Sequence, residues 1–162
     1  MSRHLLIFDL DETLVHATKA ELSIPHALEV TPYFVYLRPF YIELLEFCVQ
    51  KFDLAVWSSS SDEYVQAVSS TLFSNKYPLK FSWSAKKCVQ RADPHSNSYV
   101  YIKDLRKVQS AGYRVERITM IDDSPEKLKR QPGNLLQVKQ FHGDQNDREL
   151  LRVLEILRTQ HC

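Results

Sequence analysis

Apolar runs and polar stretches follow one another in blocks along this chain. Leu5-Leu6-Ile7-Phe8 is the first uninterrupted run, and polar residues close it on both sides. Such a run predicts a buried strand, here over about 4–10. Segments 33–37, 53–57, 117–121 and 135–138 repeat the pattern, and most are rich in the aromatic and β-branched residues that favour strands. Phe81-Ser82-Trp83 and Tyr99-Val100-Tyr101-Ile102 are shorter candidates. Between them the period becomes helical. Ile42, Leu45 and Val49, beside Leu44 and Cys48, mark one stripe, with Pro39 suited to its first turn. Val65, Val68 and Leu72 mark a second, with Asp62 and Glu63 where the helix dipole favours acids. Lys103-Asp104-Leu105 opens a third helix that should end at Gly112. Ser124 is a plausible N-cap with Pro125 behind it, and Leu150, Leu151, Leu154 and Leu157 stripe the last helix. Residues 12–32, broken by Pro25 and Pro32, read as a long loop or small hairpin, and 85–98 as irregular. Strands alternating with helices predict an α/β fold, a doubly wound parallel sheet with helices on both faces.

Composition narrows the class. A chain of 162 residues can form one domain with a real core, so 1–162 is read as a single domain. Lys plus Arg (21) nearly balances Asp plus Glu (20), which speaks against a general nucleic-acid binder. No apolar segment reaches membrane-spanning length. Asp9 breaks the first apolar run, so a signal peptide is not expected. The cysteines Cys48, Cys88 and Cys162 are odd in number and far apart, which suggests free thiols and a soluble intracellular protein, cytoplasmic or nuclear. Cys88 lacks the cysteine-to-arginine spacing of cysteine phosphatases, and His161-Cys162 is not a prenylation box. The six histidines show no metal-ligand spacing, so solvated or packing roles are expected for them.

In open α/β sheets, ligands bind beyond the carboxyl ends of the strands. The first strand ends in Asp9-Leu10-Asp11, where one carboxylate could attack an electrophile while its neighbour moves protons. The strand at 53–57 runs into Ser58, and the strand at 117–121 into Asp122-Asp123. Parallel strands put those ends on one edge, and Lys103 could reach it from the start of its helix. Each feature alone has an ordinary explanation: an acidic turn, a capping serine, a solvated lysine, the start of a loop. Their joint occurrence, each at the end of a strand, argues for a site. Clustered carboxylates repel one another and call for a cation, and oxygen ligands of this kind suit Mg²⁺. A hydroxyl and an ammonium are natural phosphate partners. The implied ligand is a phosphoryl group held between Mg²⁺ and Lys103, with Lys103 serving phosphate rather than the stability of the fold.

These blocks carry a family resemblance. Asp9-Leu10-Asp11-Glu12-Thr13-Leu14-Val15-His16 resembles the first motif of the haloacid dehalogenase (HAD) superfamily. Leu37-Arg38-Pro39, Val56-Trp57-Ser58, Tyr101-Ile102-Lys103-Asp104-Leu105 and Ile121-Asp122-Asp123-Ser124-Pro125 are similar to the FCP/SCP-type phosphatases, which act on the C-terminal domain of RNA polymerase II. The resemblance implies that Asp9 becomes an aspartyl phosphate and that Asp11 serves as general acid and then base. It implies Mg²⁺ bound by Asp9, the backbone carbonyl of Asp11 and one or both of Asp122 and Asp123. Ser58 and Lys103 would bind phosphoryl oxygens. Many HAD enzymes have Thr where this chain has Ser58, which keeps the hydroxyl.

The same resemblance places cap domains after the first motif or between the second and third. Neither stretch is long enough here for a domain of its own. The expected site is therefore open, better suited to phosphoserine or phosphothreonine in a protein than to a metabolite. Tyr33, Tyr36, Phe81, Trp83, Tyr99 and Tyr101 are candidate groove aromatics, although strand aromatics are usually core. Competing readings are a small-molecule phosphatase, a phosphoacceptor switch and a phosphopeptide-binding module.

Overall fold

The computed structural model describes residues 3–160, so Cys162 and the His161-Cys162 end lie outside the described residues. The elements run β1 (Leu5–Phe8), β2 (Val15–Thr18), β3 (Leu28–Val30), β4 (Tyr33–Leu37), α1 (Tyr41–Lys51), β5 (Asp53–Trp57), α2 (Asp62–Phe73) and β6 (Leu79–Trp83). They continue with β7 (Val89–Asp93), β8 (Ser98–Ile102), β9 (Ile118–Asp122), β10 (Leu135–Gln137) and α3 (Glu149–Gln160). A parallel sheet in the order β10-β9-β1-β5-β6 forms the centre.

The alternation of each strand sorts its side chains between two cores. Leu6 and Phe8 of β1, Leu54 and Val56 of β5 and Ile121 of β9 face α1, α2 and α3. Leu5, Ile7, Ala55, Trp57, Ile118 and Met120 face the opposite side. Strands buried on both faces need apolar residues at every position, which is why β1 reads as a solid run. Losing one of these side chains, as in Leu6→Ala, costs about 2–5 kcal/mol.

The two faces are covered differently. Among the described residues, the α-helices α1, α2 and α3 lie on one side. The other is covered by 3₁₀ segments, Leu105–Ala111 and Pro125–Leu128 among them. The segment ending at Gly112 is thus a helix as expected but wound as 3₁₀, with Asp104 capping its first turn and Gly112 left-handed at its end. Pro125 does open a turn, but the Ser124 side chain makes no capping hydrogen bond. Ser61, not Ser58, caps α2, accepting from the Tyr64 amide at 3.3 Å. In α1 the helix begins after Pro39, and Ile42 is exposed while Leu44, Leu45 and Cys48 form the inner stripe. In α3, Val153 takes the buried place expected for Leu151.

The stretch read as a long loop or small hairpin and the stretch read as irregular both contain strands. Within 12–32 lie β2 and β3, which flank β4 in a small antiparallel sheet. Residues 89–102 form the β7–β8 hairpin, whose turn carries Asn97 at φ 55°. Most of its residues face solvent, so the apolar alternation that signals a half-buried strand is missing. The strands at 33–37 and 99–102 exist, but outside the central sheet.

Candidate active site

The central order puts β1 between β5 and β9, so their carboxyl ends share one edge beside the point where the strand order reverses. Asp9, Ser58 and Asp122-Asp123 are delivered to that edge together. Asp9 is still tethered to β9, its amide donating to the Ile121 carbonyl at 3.0 Å. Beyond it the chain wraps tightly. The amides of Thr13, Leu14 and Val15 all converge on the Leu10 carbonyl at 2.9–3.1 Å. Glu12 takes φ 64°, a conformation that costs an L-residue on the order of 1 kcal/mol.

Arg38 holds this wrap in place. It is fully buried, donates to the Thr13 carbonyl at 3.0 Å and pairs through Nε and Nη2 with Asp147 at 2.8 and 3.0 Å. The Phe141 amide adds a bond to the Glu12 carbonyl at 2.9 Å. The tail of the chain thus clamps the first motif.

Around Asp9 the contacts are dense. Its Oδ1 accepts from Lys103 Nζ at 3.1 Å and its Oδ2 from Thr13 Oγ1 at 3.0 Å. Lys103 is fully buried and also donates to Asp122 Oδ2 at 2.7 Å. Carboxylate oxygens of Asp9, Asp122 and Asp123 lie within 4.8 Å of one another. Read from the chain alone, Lys103 serves phosphate and not the fold; burial of its ammonium between two carboxylates gives it a part in the fold as well.

Asp11 points elsewhere. Its Oδ2 accepts from Ser60 Oγ at 2.9 Å and its Oδ1 from the Tyr64 hydroxyl. Its carboxylate is outside the acidic cluster, which leaves only its backbone carbonyl for the ligand role. Ser58 is buried, and its Oγ accepts from the Ser60 amide at 3.0 Å. Lys127, which sequence reasoning passed over, donates to Ser59 Oγ at 2.9 Å, and its charge acts on Asp9 and Asp11.

The electrostatics separate the neighbouring acids. Burial pushes the Asp9 carboxyl up, but Lys103, Lys127 and its hydrogen bonds outweigh this and hold it below the ordinary value. Burial, with the charge of Asp9, holds Asp11 above its ordinary value despite the bonds from Tyr64 and Ser60. Burial and the Asp9 charge push Asp122 up to about 7. Burial and Asp9 raise Asp123 to about 6. Burial alone would lower Lys103, but Asp9 and Asp122 raise it, so it stays charged. Such an arrangement can present an ionised carboxylate and a protonated one to the same ligand.

Beside Asp11 opens a cavity of about 400 Å³, lined by Asp11, Glu12, Ala17, Tyr33, Ser60 and Tyr64 among others. Its walls come from the small antiparallel sheet and the start of α2. Of the expected groove aromatics only Tyr33 lines it, set edge-on to Tyr64 at 6.2 Å. Tyr36 is core, Phe81 stacks on Trp83 at 4.1 Å against the second core, and Tyr99 is exposed on its hairpin. Tyr64 escaped notice because on α2 it reads as one more residue of a helix face.

A sequence model describing NLI interacting factor-like phosphatases matches residues 4–161. The chain belongs to that family. It is 29% identical to CTD nuclear envelope phosphatase 1B of Danio rerio, over 97% of this chain and 66% of that protein. It is 31% identical to nuclear envelope morphology protein 1 of Saccharomyces cerevisiae, over 95% of this chain and 38% of that one. The chain thus spans two thirds or less of these relatives. The fold matches Fcp1, an essential RNA polymerase II CTD phosphatase, with a TM-score of 0.65 at 18% identity, covering 98% of this chain and 51% of that one. The expected α/β class, with a parallel central sheet, holds.

Proposed function

We propose that this chain is one phosphatase domain that hydrolyses phosphomonoesters through an aspartyl phosphate on Asp9, and that its substrates are phosphoserine or phosphothreonine in proteins. The observation that carries this is the different setting of two neighbouring acids: Asp9 sits against the Lys103 ammonium beside Asp122 and Asp123, while Asp11 is turned away to Ser60 and Tyr64, where burial holds its carboxyl above the ordinary value. Asp9 attacks phosphorus, forming an acyl phosphate as the ester P–O bond breaks. Asp11, positioned by Tyr64 and Ser60, gives its proton to the leaving oxygen. It then takes a proton from the water that attacks phosphorus, and Asp9 is released. Lys103 and Ser58 hold the phosphoryl oxygens, and Thr13 orients the nucleophile.

The cluster of Asp9, Asp122 and Asp123, all hard oxygen donors, fits Mg²⁺, with the Asp11 carbonyl as a further ligand. When bound, Mg²⁺ offsets the repulsion between an anionic nucleophile and an anionic substrate. Its chemistry also suits the raised Asp122 and Asp123, whose burial together calls for a second positive charge.

The cavity of about 400 Å³ beside Asp11 supports a substrate side chain carried on an extended peptide. Cys48 and Cys88 are both buried and unpaired, which supports an intracellular setting. No helix among the described residues is long and apolar enough to cross a membrane. Comparing kcat/KM on phosphoserine peptides and on common phosphometabolites tests the substrate class. A metabolite preferred by about a hundredfold, roughly 2.7 kcal/mol, overturns the protein-substrate reading and favours a small-molecule phosphatase.

A further inference from the structure

The sequence gives its histidines no ligand spacing, yet the fold brings two of them onto one carboxylate. His16 Nδ1 lies 2.9 Å and His142 Nδ1 lies 3.4 Å from the same atom, Glu12 Oε2. One ligand atom from each of the three residues falls within 4.8 Å of the others. The imidazoles meet edge to face at 5.5 Å. We propose that Glu12, His16 and His142 form a second metal site, for a divalent transition ion of the zinc class, separate from the acidic cluster.

The donor chemistry points that way. Two imidazoles and one carboxylate are a ligand set of zinc sites that keep a fourth position open. Imidazole selects Zn²⁺ and its neighbours over Mg²⁺, which prefers oxygen alone. With metal–ligand bonds of about 2.0–2.1 Å, tetrahedral ligand atoms sit about 3.3 Å apart, close to the two imidazole–carboxylate spacings of 2.9 and 3.4 Å. Access is graded: His16 and Glu12 side chains are 15% and 25% exposed, and His142 is 62% exposed. An ion can therefore enter from the His142 side and keep water as its fourth ligand.

The site is also held in shape. Buried Phe141 ties its amide to the Glu12 carbonyl at 2.9 Å, so His142 follows a fixed residue. Gly143 adopts φ +97°, and a Cβ there would come 2.8 Å from Leu22 Cδ1. Only glycine fits that turn comfortably, and the turn lays His142 against His16. Because Glu12 lines the cavity beside Asp11, an ion here puts positive charge at the cavity rim and ties the first motif to the tail.

The test is calorimetric titration of the tag-free chain with Zn²⁺ in saturating Mg²⁺, paired with the visible spectrum of added Co²⁺. The wild type should take up one ion in the micromolar range. His142→Ala and His142→Gln, both at an exposed position, should weaken uptake by at least about tenfold, since even second-shell losses reach that. The Co²⁺ bands of tetrahedral nitrogen and oxygen ligation should vanish with them. His95→Ala should bind as the wild type does, and Mg²⁺-dependent turnover of both His142 variants should be unchanged. No saturable uptake, or uptake indifferent to His142, overturns the proposal and leaves an imidazole–carboxylate hydrogen bond. Uptake lost in Asp122→Asn but kept in the His142 variants overturns it too, by placing the ion in the acidic cluster.

Discussion

Replacing Lys103 with methionine keeps the length of the side chain and removes its charge. In the native protein that charge sits 3.1 Å from Asp9 Oδ1 and 2.7 Å from Asp122 Oδ2, fully out of water. At an effective dielectric constant of about 20, each contact is worth on the order of 5 kcal/mol of Coulomb attraction. Desolvation of the ammonium offsets much of this. What remains on breaking a buried pair is a loss of about 3–5 kcal/mol, because the orphaned carboxylates stay buried. For a domain of this size that is roughly 6–20 °C in melting temperature. The loss should be largest in metal-free buffer at about pH 8. It should shrink below about pH 6, where Asp122, raised to about 7, is protonated and one orphaned charge disappears. Turnover per folded molecule should fall about a hundredfold to a thousandfold, as for other lost transition-state contacts. Thermal melts at both pH values and initial rates on an aryl phosphate check this. A Lys103→Met protein melting within about 2 °C of its parent at about pH 8 would refute the ion-pair account. Normal turnover by the folded variant would refute its role at phosphate.

Asp11→Asn should lose most on phosphoserine peptides, whose alkoxide leaving group needs the proton, and least on nitrophenyl phosphate; equal losses on both would sink the general-acid role. Tyr64→Phe removes a hydrogen bond that lowers the Asp11 pKa, so the alkaline limb of kcat/KM should move to higher pH, and a downward move would contradict the geometry. EDTA should abolish turnover and Mg²⁺ restore it. The raised pKa values of Asp122 and Asp123 mean that their contribution to metal-free stability is present at low pH and lost as pH rises through about 6 and 7. Added Mg²⁺ should therefore raise the melting temperature more at about pH 8 than at about pH 5.5, and the reverse order would argue against these ligands.

The central sheet is legible in the chain because its middle strands are buried on both faces. Leu5–Phe8 and Asp53–Trp57 had to be apolar almost throughout, and they look it. The β7–β8 hairpin is not legible, since exposed residues such as Gln90 and Arg91 carry no burial pattern. The edge positions of Asp9, Ser58 and Asp122 follow from strand ends alone. What lies across from them does not. Tyr64 reaches Asp11 from a helix, Arg38 reaches the first motif from beyond β4, and His142 meets His16 from the far end of the chain. Such contacts are set by packing rather than by spacing. The burial of Lys103 was hidden for the same reason: a lysine is usually solvated unless its partners are known.

The central claim is that Asp9 carries the phosphoryl group. The direct measurement is an acid quench of the enzyme during turnover with Mg²⁺, followed by borohydride reduction and peptide mass spectrometry. An aspartyl phosphate is reduced to homoserine, so the account predicts that conversion at position 9 and nowhere else, absent without substrate and absent in Asp9→Asn. Brisk turnover with no modified peptide, or the label on another residue, would contradict it.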